Sequence, residues 1–93
     1  MPPNRSRAFD ICVVGHLTRD RVEAPGHSTE LSGGTVYYTS MALARLQQSR
    51  VAICTRAGAD AAAALASLQK EGVAVNVRPS PITTSFINRY TPL

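Results

Sequence analysis

Residues Leu31–Leu46 read LSGGTVYYTSMALARL. The stretch opens with two adjacent glycines, and from Thr35 to Gln48 the chain has neither proline nor glycine. Thr35 can cap a helix here, and Val36, Tyr37, Met41, Leu43, Ala44 and Leu46 are available for packing along it. On either side lies a short, continuous β-prone run: Ile11-Cys12-Val13-Val14, closed by Gly15, and Val51-Ala52-Ile53-Cys54, closed at Gly58. Unbroken apolar runs of this kind are expected of strands buried on both faces, which usually lie side by side in a parallel sheet. The spacing therefore predicts a crossover helix between two parallel strands, and with it an α/β domain built on right-handed connections.

The pattern continues downstream. A second helix is expected from Asp60, a candidate N-cap, through AAAALASLQKE, with Leu65 and Leu68 on one side and a Schellman-type stop at Gly72-Val73. Val73, Val75 and Val77 then alternate as a more exposed strand before RPSP turns the chain. In the final strand Ile82, Thr84, Phe86, Asn88 and Tyr90 point one way, and Thr83, Ser85, Ile87, Arg89 and Thr91 the other.

The connection from His16 to Gly34 is far longer than most strand-to-helix links, and such connections usually carry structure of their own or a function. It contains APGHS between two short β-prone pieces, so a hairpin turning at Pro25-Gly26 is expected. An excursion of that kind returns to the carboxyl edge of the sheet at Gly33-Gly34, where open α/β sheets bind ligands. Two readings of the glycine pair stand side by side. One is a tight turn needing positive φ. The other is a close approach by a ligand to backbone N–H groups at a helix start.

Composition bounds the rest. Ninety-three residues, 44% hydrophobic and 17% charged, suit one globular domain. The net charge of +4 comes from ten basic residues, nine of them arginine, scattered from Arg5 to Arg89 without a run. A nucleic-acid surface needs a clustered stripe or a recognised module, and neither is visible. Cys12 and Cys54 sit within the two apolar runs and read as buried free thiols of a reducing compartment. With His16 and His27 they lack the paired spacing of a zinc site. No signal-peptide core or membrane-length segment is evident, so the expected location is cytoplasmic.

Taken in order, DICVVGHLTRD, SGGTVYYTSMALARL, VAICTRAGAD, LQKEGV and TTSFINRY resemble the amino-terminal part of the ribokinase-like, or PfkB, family of carbohydrate kinases. Members begin with a strand ending in Gly and carry an Asp shortly after it. They present Gly-Gly before the first long helix and follow the next strand with a Gly-x-Asp turn. The resemblance runs from Phe9 onward. It implies residues 1–8 as a flexible N-terminus and 9–93 as part of a ribokinase-like α/β domain: a partial parallel sheet with crossover helices and a small β lid element, its strands in about 17–32 and 82–91.

By the same resemblance Asp20 accepts hydrogen bonds from substrate hydroxyls, the backbone at Gly33 and Gly34 contacts the sugar, and Tyr38 stands beside them. Asp60 belongs to the early Gly-x-Asp turn and a helix cap, not to catalysis. The family's catalytic base and nucleotide site lie further along than this chain reaches. The chain is thus expected to be an N-terminal fragment of an ATP-dependent kinase, with ATP and Mg bound elsewhere in the intact protein and no kinase activity of its own. The expected partner is a small sugar-like substrate, with no nucleic acid and no membrane, and with homodimer pairing through the lid strands. Thr18 and the Tyr37-Tyr38 pair replace residues that are Asn in many sugar-specific members, which points to another sugar, a nucleoside or a cyclitol. A non-catalytic α/β ligand-binding or interaction module is the alternative. A dinucleotide-binding module is disfavoured, because Gly15-His16-Leu17 does not continue into G-x-G-x-x-G.

Overall fold

A computed structural model of the chain describes residues 9–46 and 50–91. The expectations for residues 1–8, for the end of the first helix at Gln48 and for Pro92 lie outside them. Six strands and two helices follow one another: β1 Ile11–Val14, β2 Thr18–Ala24, β3 His27–Gly33, α1 Thr35–Arg45, β4 Val51–Ala57, α2 Ala62–Lys70, β5 Ala74–Pro79 and β6 Ser85–Arg89. A 3-10 turn, Ala59–Ala61, leads into α2.

The strands form two three-stranded sheets. The main sheet has the order β1-β4-β5 and the small sheet β3-β2-β6. All pairs of the main sheet are parallel, with Ile11 opposite Val51 and Ile53 opposite Val75. Parallel neighbours require crossovers, and α1 and α2 supply them.

Both helices cover one face of the main sheet. Val36, Val51, Ile53, Leu68 and Val73 are buried there, with Val13, Met41, Leu43, Leu65 and Val75 packed around them. Leu17, Ala57, Ala61 and Ala64 continue this core toward the small sheet, and Tyr37 touches both parts. The opposite face carries Cys12, Val14, Cys54 and Asn76 and is open. Val14 is 74% exposed. This corrects the expectation of two-sided burial for β1 and of buried thiols. Cys12 is exposed and Cys54 half-buried, with their sulfurs 3.7 Å apart. The Cys54 thiol, by hydrogen bonding, raises the Cys12 thiol above its ordinary value. A continuous apolar run reports β propensity; it does not report how many helices arrive to cover it.

Element ends also depart from expectation. Gly34, not Thr35, is the N-cap of α1, at φ 92°, with no side chain bonded to the helix start. Leu46, expected in the core, is 67% exposed. At α2 the cap positions are Gly58 for the 3-10 turn and Ala61 for the helix, so Asp60 does not cap it. Its carboxylate is engaged elsewhere. The stop at Gly72 follows the Schellman pattern: Gly72 N–H donates to the Gln69 carbonyl and Val73 N–H to the Leu68 carbonyl, each at 3.0 Å, with Gly72 at φ 91°. Val73 packs on Leu68 in the core, so β5 starts one residue later than the valine pattern suggests.

Candidate functional site

β2 and β3 form the hairpin of the long connection. Pro25 and Gly26 make its turn, Gly26 at φ 70°, and the pairing runs from Ala24 opposite His27 to Thr18 opposite Gly33. β6 adds to the other side of β2 in parallel, with Asp20 opposite Phe86 and Glu23 opposite Arg89. Alternation then gives the small sheet two chemically distinct faces. Arg19, Arg21 and Glu23 lie on one, Thr18, Asp20 and Val22 on the other. The first is laced by ion pairs: Arg19 to Glu30 at 3.3 Å, Arg21 to Glu30 at 3.5 Å and Arg89 to Glu23 at 2.9 Å.

Asp20 and the glycine pair meet at the base of the hairpin, where β3 runs into α1. Gly33 is buried. A Cβ on Gly33 would sit 2.4 Å from Asp20 Oδ2 and 2.9 Å from Thr18 Oγ1, so the carboxylate occupies the space that a side chain would fill. Gly34 is tight for a different reason. A Cβ there would lie 2.4 Å from the His16 carbonyl oxygen, which also accepts a hydrogen bond from Val36 N–H at 3.2 Å. Both readings of the pair therefore find an object within the chain: Gly34 makes the positive-φ bend, and the group that closely approaches Gly33 is the Asp20 carboxylate.

Among the described residues Asp20 Oδ1 is the one buried side-chain polar atom without a hydrogen-bond partner. A carboxylate oxygen withdrawn from water and left unpaired is costly, and such an atom in a native fold calls for an explanation. Tyr38 stands nearby on the first turn of α1. Its hydroxyl donates to the Ser32 carbonyl at 3.1 Å while 58% of the residue remains exposed. Tyr37 meets it edge-on, ring centroids 5.6 Å apart, and faces inward to the core. The structure thus brings Asp20, Gly33, Gly34 and Tyr38 to one place.

The sequence did not disclose what holds this sheet in position. Thr83, buried in the β5–β6 connection, accepts a hydrogen bond from Gly58 N–H at 2.9 Å and donates its own hydroxyl to Asp60 Oδ1. Thr83 N–H also donates to Asp60 Oδ1, at 3.1 Å, and Arg19 reaches Asp60 Oδ2 at 3.2 Å. One carboxylate thereby joins the end of β4, the approach to β6 and the second residue of β2. The hydrogen bond from the Thr83 hydroxyl, chief among these contacts, holds the Asp60 carboxyl below its ordinary value. Asp60 and Thr83 are 23 residues apart, and no local pattern could have linked them.

Neither a family model nor a curated protein matches the chain. Solved structures do. A pyrophosphate-dependent kinase in the ribokinase family, complexed with a pyrophosphate analog and myo-inositol, superposes with a TM-score of 0.76 at 27% identity, over 87% of this chain and 29% of that one. The fold is ribokinase-like. A second match is described as the conversion of a pyrophosphate-dependent myo-inositol-1 kinase into a myo-inositol-3 kinase. Its TM-score is 0.71 at 25% identity, over 82% of this chain and 27% of that one. Ribokinase from Cryptococcus neoformans var. grubii serotype A, in complex with ADP, shares the fold with a TM-score of 0.70 at 20% identity, over 83% of this chain and 29% of that one. The ribokinase-like chain thus spans less than a third of the length of the kinases it matches.

Among the described residues no three His, Cys, Asp or Glu side chains converge in a way that could hold a metal ion. The magnesium implied by the family has no cradle among these residues, and no step is assigned to it. No helix among them is long and apolar enough to cross a membrane.

Proposed function

We propose that this ribokinase-like chain forms the acceptor-binding part of a kinase that transfers a phosphoryl group to a hydroxyl of a small polyol, a sugar or a cyclitol. The observation that carries the reading is the unpartnered, buried Oδ1 of Asp20 beside the backbone of Gly33. A vicinal diol offers the O–H donors that this carboxylate lacks, and a charge-assisted bond of this kind contributes about 1.5–3 kcal/mol. The kinase structures that the chain resembles support the class of reaction, and the myo-inositol complex among them favours a cyclitol. Asp20 orients the acceptor in this reading. The small sheet with its hairpin shields the site from water, and the Tyr38 ring borders it. The general base and the donor chemistry come from elsewhere in the intact protein, and the donor is either a nucleotide or pyrophosphate.

The test is calorimetric titration of the intact protein with myo-inositol and with ribose, repeated on Asp20→Asn. Binding of a polyol that weakens about tenfold or more in the variant supports the assignment. Affinity unchanged by Asp20→Asn removes it.

A second reading has its own observation. β6 is an edge strand whose five residues, Ser85–Arg89, are all exposed, Phe86 and Ile87 included. Such an edge can pair with the same strand of a second copy, giving a homodimer through the small sheet. Sedimentation that depends on protein concentration, and ceases to in Ile87→Lys, is the result expected of it.

A further inference from the structure

We infer that Asp60 is a positioning residue for the acceptor: through Arg19 and Thr83 it fixes β2 against the end of the main sheet, and so holds the Asp20 carboxylate in place beside Gly33. The role rests on the reading of Asp20 as the carboxylate that receives the acceptor. The route between the two carboxylates is short. Arg19 directly precedes Asp20 on β2, and alternation sends their side chains to opposite faces of the small sheet. The Arg19 guanidinium spans two acidic groups, with Nη1 donating to Asp60 Oδ2 at 3.2 Å and Nη2 to Glu30 Oε2 at 3.3 Å. Arg19 N–H donates to the Thr84 carbonyl at 2.9 Å. The residue that carries Asp20 forward is therefore tied to β3, to the turn before α2 and to the approach to β6.

The far end of the route admits one geometry. Thr83 is 2% exposed, and its backbone N–H and its hydroxyl both donate to Asp60 Oδ1, which leaves Oδ2 for Arg19. A Cβ on Gly58 would come within 2.8 Å of Asp60 Oδ1 and 2.9 Å of the Ile82 Cα, so this carboxylate fills the space of a missing side chain, as Asp20 does at Gly33. A glycine packed against a carboxylate thus stands at each end of the Arg19 bridge. Asp20 itself has little to orient it. Among the described residues its Oδ1 has no partner, and its Oδ2 lies against Gly33, which offers no side chain. The carboxylate is aimed chiefly by the strand that carries it, and a misplacement of about 1 Å in a binding group is enough to cost a large factor in its action.

The experiment is calorimetric titration of the intact protein with myo-inositol and with ribose, on the unaltered form and on Asp60→Asn, Thr83→Val, Thr83→Ser and Ile53→Val, joined to steady-state rates with ATP or pyrophosphate as donor. Asp60→Asn keeps an oxygen for Thr83 but removes the charge that holds Arg19, whereas Thr83→Ser keeps the hydroxyl that Thr83→Val removes. Ile53 is fully buried in the main sheet, so its variant loosens the domain away from the junction. The expected result is polyol binding that weakens about fivefold or more in Asp60→Asn and Thr83→Val, the scale of one hydrogen bond, and is restored in Thr83→Ser. The polyol KM should rise by the same factor while kcat and the donor KM hold, and Ile53→Val should change none of them. An equal loss of polyol affinity in Ile53→Val, or a fall in kcat with the polyol KM unchanged, overturns the positioning role. Asp20→Asn, titrated alongside, separates this role from the reading beneath it. If Asp20→Asn weakens polyol binding and neither Asp60→Asn nor Thr83→Val does, only the positioning role falls; if Asp20→Asn leaves binding unchanged, the acceptor reading falls and this role with it.

Discussion

The two sheets are held together by different means. In the main sheet Ile53, Leu68 and Val36 are fully buried between strands and helices, and apolar burial of this kind is the dominant source of folding free energy. The small sheet has almost no such core. Its strand β6 is exposed throughout, its charged face is covered by ion pairs at the surface, and its position depends on the Asp60–Thr83 junction at one end. Surface ion pairs contribute little, commonly about 0–1 kcal/mol each. The difference teaches that apolar burial holds the main sheet, while the small sheet is joined to it by polar contacts near its base, where Asp20 and the glycine pair sit.

The largest break in this contrast is expected from Leu68→Ala. Removing a fully buried leucine costs about 2–5 kcal/mol, a large share of the stability of a domain this size, and urea denaturation should show both sheets lost together at lower denaturant. Thr83→Val should cost less, about 1–3 kcal/mol, because it leaves Gly58 N–H and the Asp60 carboxylate without their partner. Its signature is regional: hydrogen exchange should accelerate in β6 more than in β4. An equal acceleration in both would mean that the junction serves the whole domain and not the small sheet.

Acid should sharpen the same distinction. The folded state depresses Asp60 below the ordinary aspartate value of 3.8, so its contribution is complete above that value and is lost as pH falls through the lower, folded one. The difference in urea midpoint between the unaltered chain and Asp60→Asn should therefore be constant near neutrality and shrink in acid. A difference that persists at low pH would contradict the role of the carboxylate. The smallest effect is expected from Ile87→Ser, whose side chain is 56% exposed. Its stability should change by no more than about 0.5 kcal/mol, measured by the same denaturation.

Much of the fold was legible because its signals are local. The apolar runs at Ile11 and Val51, the helix between them, the Gly72 stop and the Pro25-Gly26 turn each follow from a few neighbouring residues, and the structure places all of them. What escaped was non-local. Cys12 and Val14 are exposed because both helices pack on the other face of their sheet, which the strand's own sequence does not encode. Asp60 looked like a helix cap from its position before an alanine run, yet its carboxylate is claimed by Thr83 and Arg19. In the site, the glycine pair stood out by its place before the first helix, the role of Asp20 came from the resemblance, and their mutual contact from the structure. Thr18, buried against Gly33, stood in the sequence only as a departure from an expected Asn.

The parallel pairing of β2 with β6 imposes an order on how the chain is made and folded. Glu23 and Arg89, joined across the two strands, are 66 residues apart, whereas the β2–β3 hairpin closes over a two-residue turn. Contacts so distant in sequence form late, since the intervening chain must be ordered before they gain anything. During synthesis the hairpin leaves the ribosome early and waits with one edge of β2 bare until Ser85–Arg89 arrives. Every chain passes through that interval with an open strand edge, and a chain cut short before Ser85 would never leave it, so truncation here favours aggregation.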